Sequence, residues 1–123
     1  AWQGYIDNNL VGGGLAQAAI TGHDGSVWAK SAGWPGSDAD NKAIIGILNA
    51  PGSKYEVNLG SAKHFILQNN DGVMYTKAGA NGLAVVKTGQ AVIFGFYDDK
   101  LQPGQANNVV HTIADYLKNS GYQ

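Results

Sequence analysis

The run Ala91-Val92-Ile93-Phe94-Gly95-Phe96-Tyr97 constrains this chain more than any other segment. It is apolar almost without interruption, and it shows neither a helical stripe nor the alternation of a half-wet strand. It is short and rich in β-branched and aromatic residues, which favours a strand. A strand that is apolar on both sides must be covered on both sides. The chain therefore needs a sheet with a layer packed on each face.

Helical segments are available to build those layers. After Pro103-Gly104, the residues Ala106, Val109, Val110, Ile113, Ala114 and Leu117 recur at helical spacing, with Pro tolerated in the first turn. A second helix starts with Ser37 or Asp38 as its cap, and its stripe is Ala43, Ile44, Ile47 and Leu48. Residues 2–10 form a short third helix with Ile6 and Leu10 on one side. Strands are expected at about 16–21, 27–32, 55–58, 62–69, 72–77, 82–88 and 90–97. Asp24-Gly25, Asn70-Asp71-Gly72, Ala78 to Gly82 and Thr88-Gly89 are the turns. The fold class is α+β: a central antiparallel sheet of about seven strands, with the N- and C-terminal helices on one face and the shorter helix on the other. One domain spanning 1–123 is expected at this length.

Composition removes several functions. All eight basic residues are lysines and the net charge is −1, a poor match to nucleic acid. Cysteine is absent and no leader-like or membrane-length apolar stretch occurs, so a soluble cytoplasmic protein is expected. His23, His64 and His111 have no metal-ligand spacing, and no cofactor is expected. His23, Asp24 and Ser26 could suggest a hydrolase, but an Asp-Gly turn accounts for them and no nucleophile elbow is present. The chain reads as a non-enzyme.

The aromatic residues point elsewhere. Trp2 and Tyr5 stand at one end of the chain, Tyr116 and Tyr122 at the other. Chain ends fray unless they dock. Two terminal helices lying side by side would merge these rings into one surface. Such surfaces suit proline-rich peptides, whose preformed helix loses little entropy on binding.

The residues that carry this pattern also resemble the profilin family. The segments are Trp2-Gln3-Gly4-Tyr5-Ile6-Asp7, Ser26-Val27-Trp28-Ala29, Val86-Lys87-Thr88-Gly89-Gln90-Ala91, Tyr97 to Gly104, and Ala114-Asp115-Tyr116-Leu117 with Gly121-Tyr122. The resemblance runs over nearly the whole chain. It implies a cytosolic, monomeric adaptor that binds monomeric actin on one face and proline-rich segments, such as those of formin-type elongation factors, on another. Matched residue by residue, Trp2, Tyr5, Trp28, Tyr116, Leu117 and Tyr122 form the proline-rich groove. Lys63, Ile66, Lys77, Lys87, Leu101, Gln102, Gly104, Asn107, Asn108, His111 and Thr112 line the actin face.

The chain departs from the family at Gln68, where an arginine is common. It departs again at Gly72, Ala78 and Thr112, which are commonly basic or charged. Actin binding of moderate strength is therefore expected. Phosphoinositide binding, which needs clustered cations, is expected to be weak or absent. The alternative from another class is a PAS-like sensor domain, which also wraps helices around an antiparallel sheet. A sensor would enclose a ligand cavity, whereas an adaptor would have a filled core.

Overall fold

The structure, a computed structural model, describes residues 2–120. Seven strands form one sheet: β1 (Gln17–Gly22), β2 (Val27–Lys30), β3 (Glu56–Leu59), β4 (Ala62–Asn70), β5 (Val73–Ala78), β6 (Asn81–Lys87) and β7 (Ala91–Tyr97). Their order is β2-β1-β7-β6-β5-β4-β3, with every neighbouring pair antiparallel. The run 91–97 is a central strand, as its composition requires. The β1–β7 pairing brings together strands from opposite halves of the sequence, with Gln17 opposite Phe96 and Gly22 opposite Ala91.

That pairing decides where the chain ends go. The helix before β1 and the helix after β7 leave from adjacent strands and pack on the same face. The first is α1 (Trp2–Gly4), which continues as a π-helical segment, Tyr5–Leu10. The last is α3 (Pro103–Asn119), lying across β6 and β7 and touching the π-helical segment. Ile6, Leu10, Ala18, Ile20, Ala84, Ile93, Val110, Ala114 and Leu117 form the core between them, all 0% exposed.

Close approach is possible because Gly95 has no side chain. A Cβ there would lie 2.5 Å from Val110 Cγ2 and 2.9 Å from Leu15 Cδ1. Gly82 is similar, since a Cβ there would meet Tyr97 Oη at 2.1 Å. Glycine inside a strand weakens it in isolation, and here it admits a neighbour.

The other face is covered by α2 (Asp38–Leu48). Ser37 is its cap: Asp40 N–H donates to Ser37 Oγ, and Ser37 N–H donates to Asp40 Oδ2. Asp40 Oδ2 also accepts from Gly60 N–H at 2.9 Å, tying the helix start to the β3–β4 turn. The buried stripe differs from the expected one. Ala43 is exposed and Ile47 half-buried, while Asn41 and Ile45 join Ile44 and Leu48 inside. Asn41 is buried with its Oδ1 accepting from Trp34 Nε1–H at 3.2 Å, while its Nδ2 has no hydrogen-bond partner among the described residues. Ile44, Leu48, Trp34, Met74, Leu83, Val85, Val92 and Phe94 make this second core.

His64 is the titratable side chain of this second layer, at 0% exposure. Its Nδ1 shares a 2.8 Å hydrogen bond with Thr76 Oγ1, its ring meets Phe96 edge-on, and its Nε2 has no hydrogen-bond partner among the described residues. Burial disfavours the imidazolium and lowers its pKa below the ordinary 6.5. The unfolded chain therefore binds more protons than the folded one as pH falls through the ordinary histidine value. Stability should be complete above that value and should decline below it, until the folded-state pKa is passed. Urea unfolding at several pH values should show a slope of at most about 1.4 kcal/mol per pH unit from this group. A His64→Gln variant should lose that part of the slope. An identical pH profile in parent and variant would refute the assignment.

Candidate functional site

Four aromatic rings form a continuous chain on the surface. Trp28 of β2 lies 4.9 Å from Trp2, Trp2 lies 5.7 Å from Tyr5, and Tyr5 lies 6.0 Å from Tyr116 of α3, between ring centroids. The rings are tilted by 46–58° rather than stacked face to face. Trp28 and Tyr116 are the exposed ends of the chain, while Trp2 and Tyr5 are half-buried against the core. Rings of this kind offer apolar faces together with N–H and O–H donors at a wet surface.

Three features hold the rings in place. Gln3 Nε2 donates to Lys30 O and to Asp7 Oδ1, both at 3.1 Å, pinning α1 to the end of β2. The π-helical segment closes with Val11 N–H donating to Ile6 O at 2.8 Å. Such segments often mark functional positions, and a plain helical reading of residues 2–10 does not show one. The third feature corrects an expectation: Leu117 is 0% exposed and lies inside the core. It supports the aromatic surface from beneath and does not line it. Tyr122 lies outside the described residues.

The second set of matched residues falls into three places. On α3 and the turn before it, Leu101 is half-buried and Gln102 caps the helix, its N–H donating to Gln105 Oε1 at 3.3 Å. Gly104, Asn107, Asn108, His111 and Thr112 follow along the helix, and Thr112 Oγ1 donates back to Asn108 O at 2.8 Å. His111 Nε2 shares a short hydrogen bond with Tyr75 Oη of β5, joining α3 to the sheet. Burial raises the pKa of Tyr75.

The strands supply the rest, and here the register matters. Residues directly opposite in an antiparallel pair share a face. Phe65 pairs with Lys77 and with Glu56, and Lys63 lies two residues before Phe65. Tyr75 and Lys77 are on the same face of β5, so Lys63, Phe65, Tyr75 and Lys77 share the α3 side of the sheet. There α3 covers β6 and β7 and reaches Tyr75 of β5 through His111, and Phe65 and Lys63 of β4 stay exposed beyond it. Lys63 forms a 3.6 Å ion pair with Glu56 across this face.

Two matched residues do not join this group. Ile66 pairs with the buried Thr76 and packs on the α2-side core. Lys87 pairs with Val92 of that same core, and its Nζ donates to Asn49 Oδ1 at the end of α2. Alternation along a strand places both on the opposite side from Lys77. Lys77 and Lys87 are also at opposite ends of the β5–β6 hairpin, since Lys77 pairs with Gly82, about 17 Å from residue 87 along an extended strand. They form no cationic cluster. Phe65, absent from the matched set, is 58% exposed on the α3 side of the sheet.

The remaining histidine has a plain role. His23 Nε2 bonds Thr88 O at 2.7 Å, fastening the β1–β2 turn to the β6–β7 turn. Asp24 Oδ1 accepts from Ser26 N–H and Ser26 Oγ–H, at 3.0 and 2.7 Å, and these bonds hold its carboxyl below the usual value. Ser26 Oγ–H thus donates to the carboxylate of a turn, and His23 Nε2 is engaged with Thr88 O instead of with Ser26. The described residues contain no cluster of metal-ligating side chains, and no helix among them is long and apolar enough to cross a membrane. A cleft of about 270 Å³ opens between α2 and β3, lined by Ala43, Ile47, Lys54 and Glu56 among others. It lies at the edge of the second core, where Ile44 and Val57 form its floor, and not within the core between the terminal helices and the sheet, so the sensor-domain alternative finds no support.

The comparisons with known proteins agree with this geometry. The family model described as Profilin matches residues 1–122. Profilin-1 of Dictyostelium discoideum is 40% identical over 125 residues, covering 99% of both chains. The crystal structure of Acanthamoeba castellanii profilin II superposes with a TM-score of 0.92 at 40% identity, covering 98% of this chain and 99% of that one. Mouse profilin IIa, solved in complex with a double repeat from the FH1 domain of mDia1, is 26% identical with a TM-score of 0.77, over 98% and 99% of the two chains.

Proposed function

This chain belongs to the profilin family, and on that premise we propose that it is a monomeric, cytoplasmic adaptor that binds monomeric actin on its second face and proline-rich segments on its aromatic face. The observation that carries this reading is the unbroken chain of rings Trp28, Trp2, Tyr5 and Tyr116, assembled from β2 and both terminal helices. Proline rings stack on such faces, and the indole and phenol groups donate to the peptide's carbonyls. The α3 residues 104–112 and the exposed α3-side residues of β4 and β5, Lys63 and Lys77, form the actin side. The two surfaces are separate, so one molecule of this protein can hold both partners. Tethering then raises the effective concentration of actin at a proline-rich elongation factor without any new contact. Catalysis plays no part in this role. Phosphoinositide binding is weak or absent, in keeping with the separation of Lys77 from Lys87.

The test uses the protein's own tryptophans. Decaproline should change the fluorescence of Trp2 and Trp28 saturably at millimolar concentration, and monomeric actin should bind the same molecule without displacing the peptide. A flat peptide titration would end the proline-rich reading, and failure to bind actin would end the actin reading.

A further inference from the structure

We propose that Phe65 is the apolar anchor through which the second face holds the actin monomer, an inference that rests on the actin reading above. Residue-by-residue matching to the family assigns Lys63, Lys77 and Lys87 to this face, and the geometry directs attention elsewhere. Lys63 is held in a solvent-exposed 3.6 Å ion pair with Glu56. Lys87 and Ile66 belong to the other side of the sheet. Position 68 is Gln and position 72 is Gly, so the basic residues common among relatives are missing. What β4 presents on this face is a 58% exposed phenyl ring, with Lys77 on one neighbouring strand and Glu56 on the other.

A large ring flanked by charged side chains has the composition of an interface hot spot and its rim. Its place in the fold selects the occupant. Phe65 lies one strand, about 5 Å, out from β5. On β5, Lys77 lies opposite Phe65 and Tyr75, two residues away on the same face, is bonded to His111 of α3, so the ring sits on the side of the sheet that α3 occupies. A partner resting on α3 and extending over the sheet must cover Phe65. A second copy pairing along the β3 edge would leave the α3 part of that side bare.

The experiment measures binding to latrunculin-blocked monomeric actin for the parent, Phe65→Thr and Lys87→Ser. Threonine keeps the strand preference while removing the ring. Phe65→Thr should weaken actin binding at least about tenfold, with the loss appearing as faster dissociation. Lys87→Ser should bind actin within about twofold of the parent. Decaproline binding, unchanged in both variants, shows that the fold is intact, and Phe65→Leu should lose less than Phe65→Thr. Parent-like actin binding by Phe65→Thr overturns the anchor while leaving the actin reading standing. A parent that binds decaproline but not actin overturns both. If sedimentation velocity shows the parent self-associating, and Phe65→Thr abolishes only that, the ring is a self-contact and the proposal fails.

Discussion

Leu117→Ala should lower the free energy of unfolding by about 2–5 kcal/mol, the usual range for truncating a fully buried leucine. The side chain is 0% exposed and lies in the core that joins α3, the N-terminal helix and β6–β7. Removing its branched end leaves a cavity in that core, because the surrounding side chains are held by their own helices and strands and collapse only partly into it. The measurement is the midpoint of urea unfolding at constant slope. The variant should still bind decaproline when folded, since the rings themselves remain. A loss below about 0.5 kcal/mol would show that α3 is not packed as described, because only surface substitutions are that mild.

Trp2→Ala should weaken decaproline binding by about 1–3 kcal/mol, a factor between about five and 150, as expected for a central aromatic anchor. Trp2 touches both Trp28 and Tyr5, at 4.9 and 5.7 Å between centroids. It is the link that makes two pairs of rings one surface, so its removal splits that surface. Actin binding should stay within about twofold of the parent, because the Phe65 face is built from other strands. Loss of both activities together would mean that the substitution unfolds the N-terminal helix instead of deleting a contact.

Much of this architecture was legible from periodicity. The run 91–97 announces a strand covered on both faces, and the spacing of Val110, Ile113, Ala114 and Leu117 announces the helix that covers one of them. Turn residues such as Asp24-Gly25 and Asn70-Asp71-Gly72 locate the strand ends, and Asp71 and Gly72 do adopt positive φ. The facing of side chains was harder to read. On β4, Ile66 and Phe65 are adjacent apolar residues, and a register irregularity falls between Ile66 and Gln68. Nothing local shows which of the two α3 leaves uncovered, because that depends on how far a helix a hundred residues from the N-terminus reaches across the sheet. The burial of Asn41 in place of Ala43 had the same origin, since Trp34 supplies the hydrogen bond from outside the helix. The π-helical segment differs from an α-helix by one residue in its bonding, and a pair such as Ile6 and Leu10 suits either.

The β1–β7 pairing bears on the order in which this protein can mature during synthesis. Gln17 has no partner in this register until Phe96 has been made, and Tyr116 joins the ring chain only after α3 is released. Both terminal helices must therefore be present before the aromatic surface exists. A nascent or C-terminally clipped chain carries Trp2, Tyr5 and Trp28 but lacks the fourth ring and the core that fixes the others. Competence to engage a proline-rich partner thus requires that α3 has been made and docked on β6 and β7.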